Sequence, residues 1–189
     1  MGKIVCIDGN IGAGKSTLLE ELTNRGYYVF REDLGKWGFF LDKFYKDPKR
    51  WGFTLQIAIM NSSCNQFKEI TRLCQTNEFV FVERSPETSM IFVKNSYDLG
   101  YLSTEEFEVY QDFFNRFIWY PDVKFFIETD VDVCLGRIQK RGRDCEKNLE
   151  GYYLERICSG YKKITFDEYF SGMDSPAKIA DQIVNKLMI

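Results

Sequence analysis

Histidine is missing from this chain altogether, so no imidazole base operates here. The six cysteines, Cys6, Cys64, Cys74, Cys134, Cys145 and Cys158, never fall into a C-x-x-C spacing. Together these two features argue against a zinc site. The thiols read instead as small apolar fillers in a reducing compartment. Basic charge is in deficit, with 25 Lys and Arg against 28 Asp and Glu and a net charge of -3, so no nucleic-acid partner is expected. No apolar run approaches the roughly 18 residues that would read as a membrane span. The first strand begins almost at Lys3, which leaves no room for a leader peptide. The opening "MGKIVC" has the outline of a myristoylation signal, but Cys6 stands where Ser or Thr is required. The expectation is a soluble, cytoplasmic protein without a membrane or nucleic-acid partner.

What is present is apolar and aromatic: hydrophobic residues make up 44% and aromatic residues 16% of 189 positions, enough for one sizeable core. "KIVCID", "YYVFRED" (27–33), "FVFVERS" (79–85) and "VKFFIETD" (123–130) read as strands. None alternates cleanly between apolar and polar, which suits a parallel sheet covered on both faces. Helices are expected between them. After the first strand, Leu18, Leu19 and Leu22 should face inward. Residues 48 to about 75 carry no proline after the first position and read as one long helix. "STEEFEVYQDFFNRF" opens on a capping box, Ser103 with Glu106. "SPAKIADQIVNKL" has Ser175 as N-cap, Pro176 at the first helical position, and Ile179, Ile183 and Leu187 on one face. A late strand is expected in "KITFDEYF" (163–170). Strand and helix alternation with short turns predicts a doubly wound α/β domain.

Residues 9–17, "GNIGAGKST", contain the phosphate-binding pattern G-x-x-x-x-G-K-[ST]. Here Gly9, Asn10, Ile11, Gly12, Ala13 and Gly14 would wrap backbone N–H groups around phosphate oxygens at the start of a helix. Lys15 would reach the terminal phosphates, and Ser16, followed by Thr17, would offer a hydroxyl to Mg²⁺. A GTPase would want N-K-x-D; the one Asn-Lys pair, Asn185 and Lys186, has Met188 in the acidic position. Two acids stand at strand ends, where α/β sheets place their sites. Glu32 could take a proton from a substrate hydroxyl, although spacing alone favours a surface or capping acid. Glu83 could hold Mg²⁺ and Arg84 a developing charge, or the two could simply pair with each other.

Four stretches taken in order resemble the deoxyribonucleoside kinase family: "GNIGAGKST", "EDLGKW", "YKDPKRWGFTLQ", and "ERS" followed by "RIQKRGRDCE". The resemblance implies a single P-loop kinase domain over residues 1–189. It would have a doubly wound parallel sheet of about five strands flanked by helices, and an arginine-rich lid at about 137–148. By that resemblance Glu32 is the general base on the 5′-hydroxyl and Arg84 binds near the 5′-oxygen. Trp37 packs beside sugar and base, Gln56 pairs with the base edge, and Tyr45 and Glu146 hold the 3′-hydroxyl. Arg137 sits near adenine, Arg141 and Arg143 lie on phosphates, and Ser16 and Glu83 serve Mg²⁺. Ser63 and Ser89 occupy positions where cytosine-preferring relatives carry Arg and Asp, which would leave room for thymine.

The implied activity is ATP- and Mg²⁺-dependent phosphorylation of a deoxyribonucleoside, pyrimidines and thymidine favoured, for nucleotide salvage. The resemblance also implies a homodimer. The alternatives are a thymidylate-type monophosphate kinase and an inactive nucleotide-binding regulator. Departures from the pattern are Asp33 in place of proline, Cys145 in place of a second lid acid, and a shorter segment after Glu146.

Overall fold

A computed structural model describes residues 1–143, 146 and 149–188. In chain order the elements are β1 (Lys3–Gly9), α1 (Lys15–Asn24), β2 (Tyr28–Phe30), α2 (Leu34–Lys46), α3 (Pro48–Leu73) and β3 (Phe79–Glu83). These are followed by α4 (Pro86–Asp98), α5 (Thr104–Phe117), β4 (Val123–Glu128), α6 (Val131–Arg141), α7 (Gly151–Tyr161), β5 (Glu168–Ser171) and α8 (Pro176–Leu187). The strands form one five-stranded sheet in the order β2-β3-β1-β4-β5. Every pairing in it is parallel.

The unbroken apolar character of β1 follows from its place at the centre. Val5 and Ile7 point to one face, into a core with Leu18, Leu19 and Leu22 of α1 and Ile183 of α8. Ile4 and Cys6 point to the other face, against Ile70 and Leu73 of α3 and Trp119. Each fully buried aliphatic side chain contributes about 1.5–3 kcal/mol, so both layers of helices are held by the same strand.

Helix starts follow the sequence signals. Asp47 caps α3 by accepting from the Arg50 N–H, with Pro48 in the first turn. Ser103 and Glu106 form the reciprocal capping box of α5, and Ser175 caps α8 ahead of Pro176. Such caps are each worth about 1 kcal/mol.

Two strands differ from expectation. β2 is only Tyr28–Phe30, so Glu32 lies beyond the strand rather than within it. This is an edge strand with a single neighbour, β3, and residues 31–33 turn away towards α2. The last strand is Glu168–Ser171, shifted towards the C-terminus. Residues 163–167 form a turn instead, because Phe166 packs with Phe126 and Tyr161, and the Asp167 carboxylate accepts from the Lys124 N–H. α3 ends at Leu73, two residues short of the expected boundary.

The chain leaves β1 towards the β2 side and leaves β4 towards β5. The crevice that this divergence opens at the carboxyl ends of the strands is where such sheets bind ligands.

Candidate active site

A cleft of about 730 Å³ occupies that crevice. Its phosphate end is the loop after β1. Gly12 has φ 80°, and a Cβ there would come within 2.5 Å of the Cys134 carbonyl oxygen. Gly14, at φ 108°, leads directly into α1. The two glycines let the loop close over α6 and aim its N–H groups and the positive end of α1 at the cleft. The buried Lys15 Nζ donates to the carbonyl oxygens of Gly9 and Asn10, both at 2.9 Å. Burial, with Arg84 nearby, lowers the Lys15 pKa to about 8. Ile11 to Thr17 line the cleft. Asn10 instead frames the loop from behind, donating through Nδ2 to the Leu154 carbonyl and accepting from the Ile11 N–H.

Glu32, Glu83 and Arg84 line the same cleft. Arg84 Nη1 is 2.6 Å from Glu32 Oε2. The Glu32 N–H donates to the Glu83 carboxylate at 3.3 Å, which ties the end of β2 to the end of β3. The pair that forms is therefore Arg84 with Glu32, across two strands. Arg84 has φ 58°, a left-handed conformation that costs a non-glycine residue about 1–2 kcal/mol. Its N–H donates to the Ile7 carbonyl, and its guanidinium lies 4.9 Å from the centre of the Phe92 ring. Burial alone would lower the Arg84 pKa, but the charge of Glu32, with those of Glu83 and Asp8, outweighs it and holds the pKa well above its ordinary value.

Two residues that sequence reasoning missed join this cluster. Tyr161 donates to Asp8 Oδ1 at 2.7 Å and accepts from Arg84 Nε at 3.4 Å. Asp8 is fully buried beneath the loop, where it also accepts from the Gly9 N–H. Tyr153 was missed too; it lines the cleft, and burial pushes its pKa up to about 12.

At the far end Trp37 is buried with Phe44 and Leu55, and Tyr45 packs edge-on against Phe44. Gln56 is only 4% exposed yet lines the cleft, as does Ser89. Ser63 lies outside the main cleft, on a side chamber of about 30 Å³ that shares Trp37 and Ser89 with it.

The lid residues are placed as follows. Arg137 donates to the Ala13 and Gly172 carbonyls at 3.0 and 2.8 Å, bracing the phosphate loop against the turn after β5. Glu146 is buried between Arg141, at 2.6 Å, and Arg143, at 3.5 Å. Cys145, expected in the lid, lies outside the described residues, as do positions 144, 147 and 148. Of the charged side chains lining the cleft, seven are cationic and four are acidic, so this wall suits a polyphosphate although the chain as a whole is acidic.

The donor set suits Mg²⁺ in its usual protein environment. Ser16 and Glu83 both line the cleft with hard oxygen atoms. Among the described residues no cluster of three or more His, Cys, Asp or Glu gathers that could cage a metal. Mg²⁺ is normally held by one or two protein oxygens together with phosphates and water.

Fold and site together define a P-loop phosphotransferase. Residues 5–183 match the family model described as deoxynucleoside kinase. Among curated proteins, the deoxyguanosine kinase of Dictyostelium discoideum is 34% identical over 87% of this chain. The deoxyadenosine/deoxycytidine kinase of Bacillus subtilis is 31% identical over 84% of it. The chain spans 59% of the length of the first and 75% of the second. The structure of deoxyadenosine kinase from M. mycoides, with products dCMP and a flexible dCDP bound, superposes with a TM-score of 0.83 at 27% identity, over 97% of this chain and 98% of that one. The chain belongs to the deoxynucleoside kinase family. Among the described residues no helix is long and apolar enough to cross a membrane.

Proposed function

We propose that this protein transfers the γ-phosphoryl group of ATP to the 5′-hydroxyl of a deoxyribonucleoside, supplying deoxynucleoside monophosphate for salvage. The observation that carries this reading is the 2.6 Å contact of Arg84 with Glu32, in the same cleft as the Lys15 loop. A carboxylate held there accepts the hydroxyl proton as the oxygen attacks phosphorus and ADP departs. Arg84 and Lys15 meet the charge on the transferring group, and positioning accounts for most of the rate. Ser16 and Glu83 would hold Mg²⁺, which when bound neutralises charge on the phosphate oxygens. Arg141 and Arg143 would serve the phosphates, and Glu146 and Tyr45 the 3′-hydroxyl. Arg137 acts through the loop it braces.

At the proposed base end, Gln56 can present either face of its amide, and the small Ser89 lines the same cleft. The finer reading is a pyrimidine substrate with thymidine admitted. A second copy of this chain is the proposed partner. Val109, Phe113 and Phe117 are exposed at four-residue spacing on α5, an apolar stripe suited to pairing. Sedimentation of the wild type and of Phe113→Glu tests this; a wild-type monomer would refute it.

The functional reading is tested by incubating the protein with ATP, Mg²⁺ and each of the four deoxynucleosides, with thymidine monophosphate in parallel. Phosphorylation of a nucleoside is expected. Phosphorylation of the monophosphate alone would make the protein a monophosphate kinase, and nucleotide binding without any turnover would make it a regulator.

A further inference from the structure

The catalytic reading above leaves Arg84 with a difficulty. Its closest counter-charge is Glu32. As the substrate O–H bond breaks, its proton passes to Glu32, the oxygen–phosphorus bond forms and the bond to ADP breaks. Glu32 is then neutral, at the moment when Arg84 is needed most. The transferring group brings its own negative charge but moves during the step, so a second anion fixed in the protein is what keeps the buried cation compensated and in place throughout. A guanidinium on a long side chain would otherwise be free to swing.

Two further carboxylates act on Arg84, Glu83 and Asp8; Glu83 is the one proposed for Mg²⁺, which leaves Asp8 as the fixed counter-charge. It has no exposed surface, and its two oxygens are committed: Oδ1 accepts from Tyr161 and from the Gly9 N–H, and Oδ2 takes the Cys6 thiol. The Tyr161 hydroxyl stands between this carboxylate and Arg84, donating to Asp8 while accepting from Arg84 Nε. Burial, reinforced by the Asp8 charge, keeps the Tyr161 proton on well beyond the ordinary range, so the hydroxyl remains a donor at any working pH. The 3.4 Å contact to Arg84 Nε is long, as catalytic hydrogen bonds often are before a substrate closes the site. From the other side, the Phe92 ring lies against the guanidinium. Arg84 is thus held at Nη1 by a group that reacts and at Nε by groups that do not.

We infer that Tyr161 and Asp8 are positioning residues for phosphoryl transfer: they fix the Arg84 guanidinium and keep a counter-charge beside it while Glu32 takes the substrate proton. The inference rests on the kinase reading. A bland brace between β1 and α7 would use the same contact between Tyr161 and Asp8, but it would not need Arg84.

Tyr161→Phe removes only the hydroxyl from a buried ring. The expected result is a kcat lower by about tenfold to a hundredfold, the loss typical of one hydrogen bond to a charged group, with KM for ATP within about twofold. In an Arg84→Lys background, which lacks Nε, Tyr161→Phe should lower kcat by less than about twofold further, because coupled residues are not additive. Asp8→Asn, which keeps an acceptor for Tyr161 but removes the charge, should lower kcat and leave KM for ATP in place. Crystals of Tyr161→Phe should show the guanidinium displaced from its wild-type position. An unchanged kcat in Tyr161→Phe, an equal loss in the Arg84→Lys background, or a KM for ATP that rises as far as kcat falls would overturn the inference. If the wild type phosphorylates no nucleoside, it is the kinase reading that has failed, and the position of Arg84 in the crystals still reports on Tyr161.

Discussion

Arg84 Nη1 and Glu32 Oε2 stand 2.6 Å apart although they follow different strands, β3 and β2. The parallel pairing of those strands brings their carboxyl ends side by side, and the N–H of Glu32 is bonded to the Glu83 carboxylate. A carboxylate held this way would need no reorganisation to meet a substrate hydroxyl.

Glu32→Gln keeps the shape and the hydrogen bond to Arg84 but cannot take a proton. General-base catalysis is typically worth about 10²–10⁴-fold, so kcat should fall by that order while nucleoside still binds. Steady-state kinetics with a nucleoside-binding titration checks this. A kcat within about twofold of wild type would move the role to Glu83 or Asp33.

The phosphate loop and its helix were legible because the signal is contiguous: residues 9–17 lie in one turn and place themselves. Glu32 could be singled out because strand ends gather at one edge, although β2 stops sooner than its apolar run suggests, being an edge strand with one partner. Tyr161 could not be found that way. It meets Asp8 across a separation of 153 residues, and on α7 it looks like any other inward-facing aromatic. Arg137 shows the same limit. The family resemblance set it near adenine, but its hydrogen bonds to the Ala13 and Gly172 carbonyls exist only once β5 is beside β4 and could not be read from the sequence.

Glu146, buried between Arg141 and Arg143, is proposed to turn one oxygen to the 3′-hydroxyl when a nucleoside enters. A site that hydrogen-bonds a hydroxyl rejects analogues lacking it, because its buried polar groups are left unpaired. 2′,3′-Dideoxythymidine should be a poor substrate beside thymidine, and Glu146→Ala should narrow the gap. Equal kcat/KM for the two nucleosides in the wild type would place Glu146 and Tyr45 away from the sugar.

At the base end, Ser89 lines both the main cleft and the side chamber. A 5-methyl group admitted there gains about 1–3 kcal/mol of apolar contact. Thymidine should be used at least as well as deoxycytidine, and deoxyguanosine poorly. This reading departs from the names of the purine-directed relatives and therefore needs direct comparison of kcat/KM. Ser89→Asp should selectively lose thymidine. Deoxyguanosine as the best substrate, or ratios unmoved by Ser89→Asp, would end the pocket assignment.

Lys15 gives a pH signature in the free protein. Burial, with Arg84 close by, brings its folded pKa down from 10.5 to about 8. Between those values the unfolded chain holds a proton that the folded chain has released, so stability rises with pH. Raising the pH from 7 to 9 should add about 1 kcal/mol from this group. Other groups titrate in the same range, so the measurement is the difference between wild type and Lys15→Met in denaturant unfolding at each pH. The wild type should gain on the variant as pH rises. A bound triphosphate favours the charged lysine and should flatten the gain, because nucleotide binding then takes up the missing proton. If the difference between the two proteins does not change from pH 7 to 9, Lys15 is not held in the dry position beside Arg84 described.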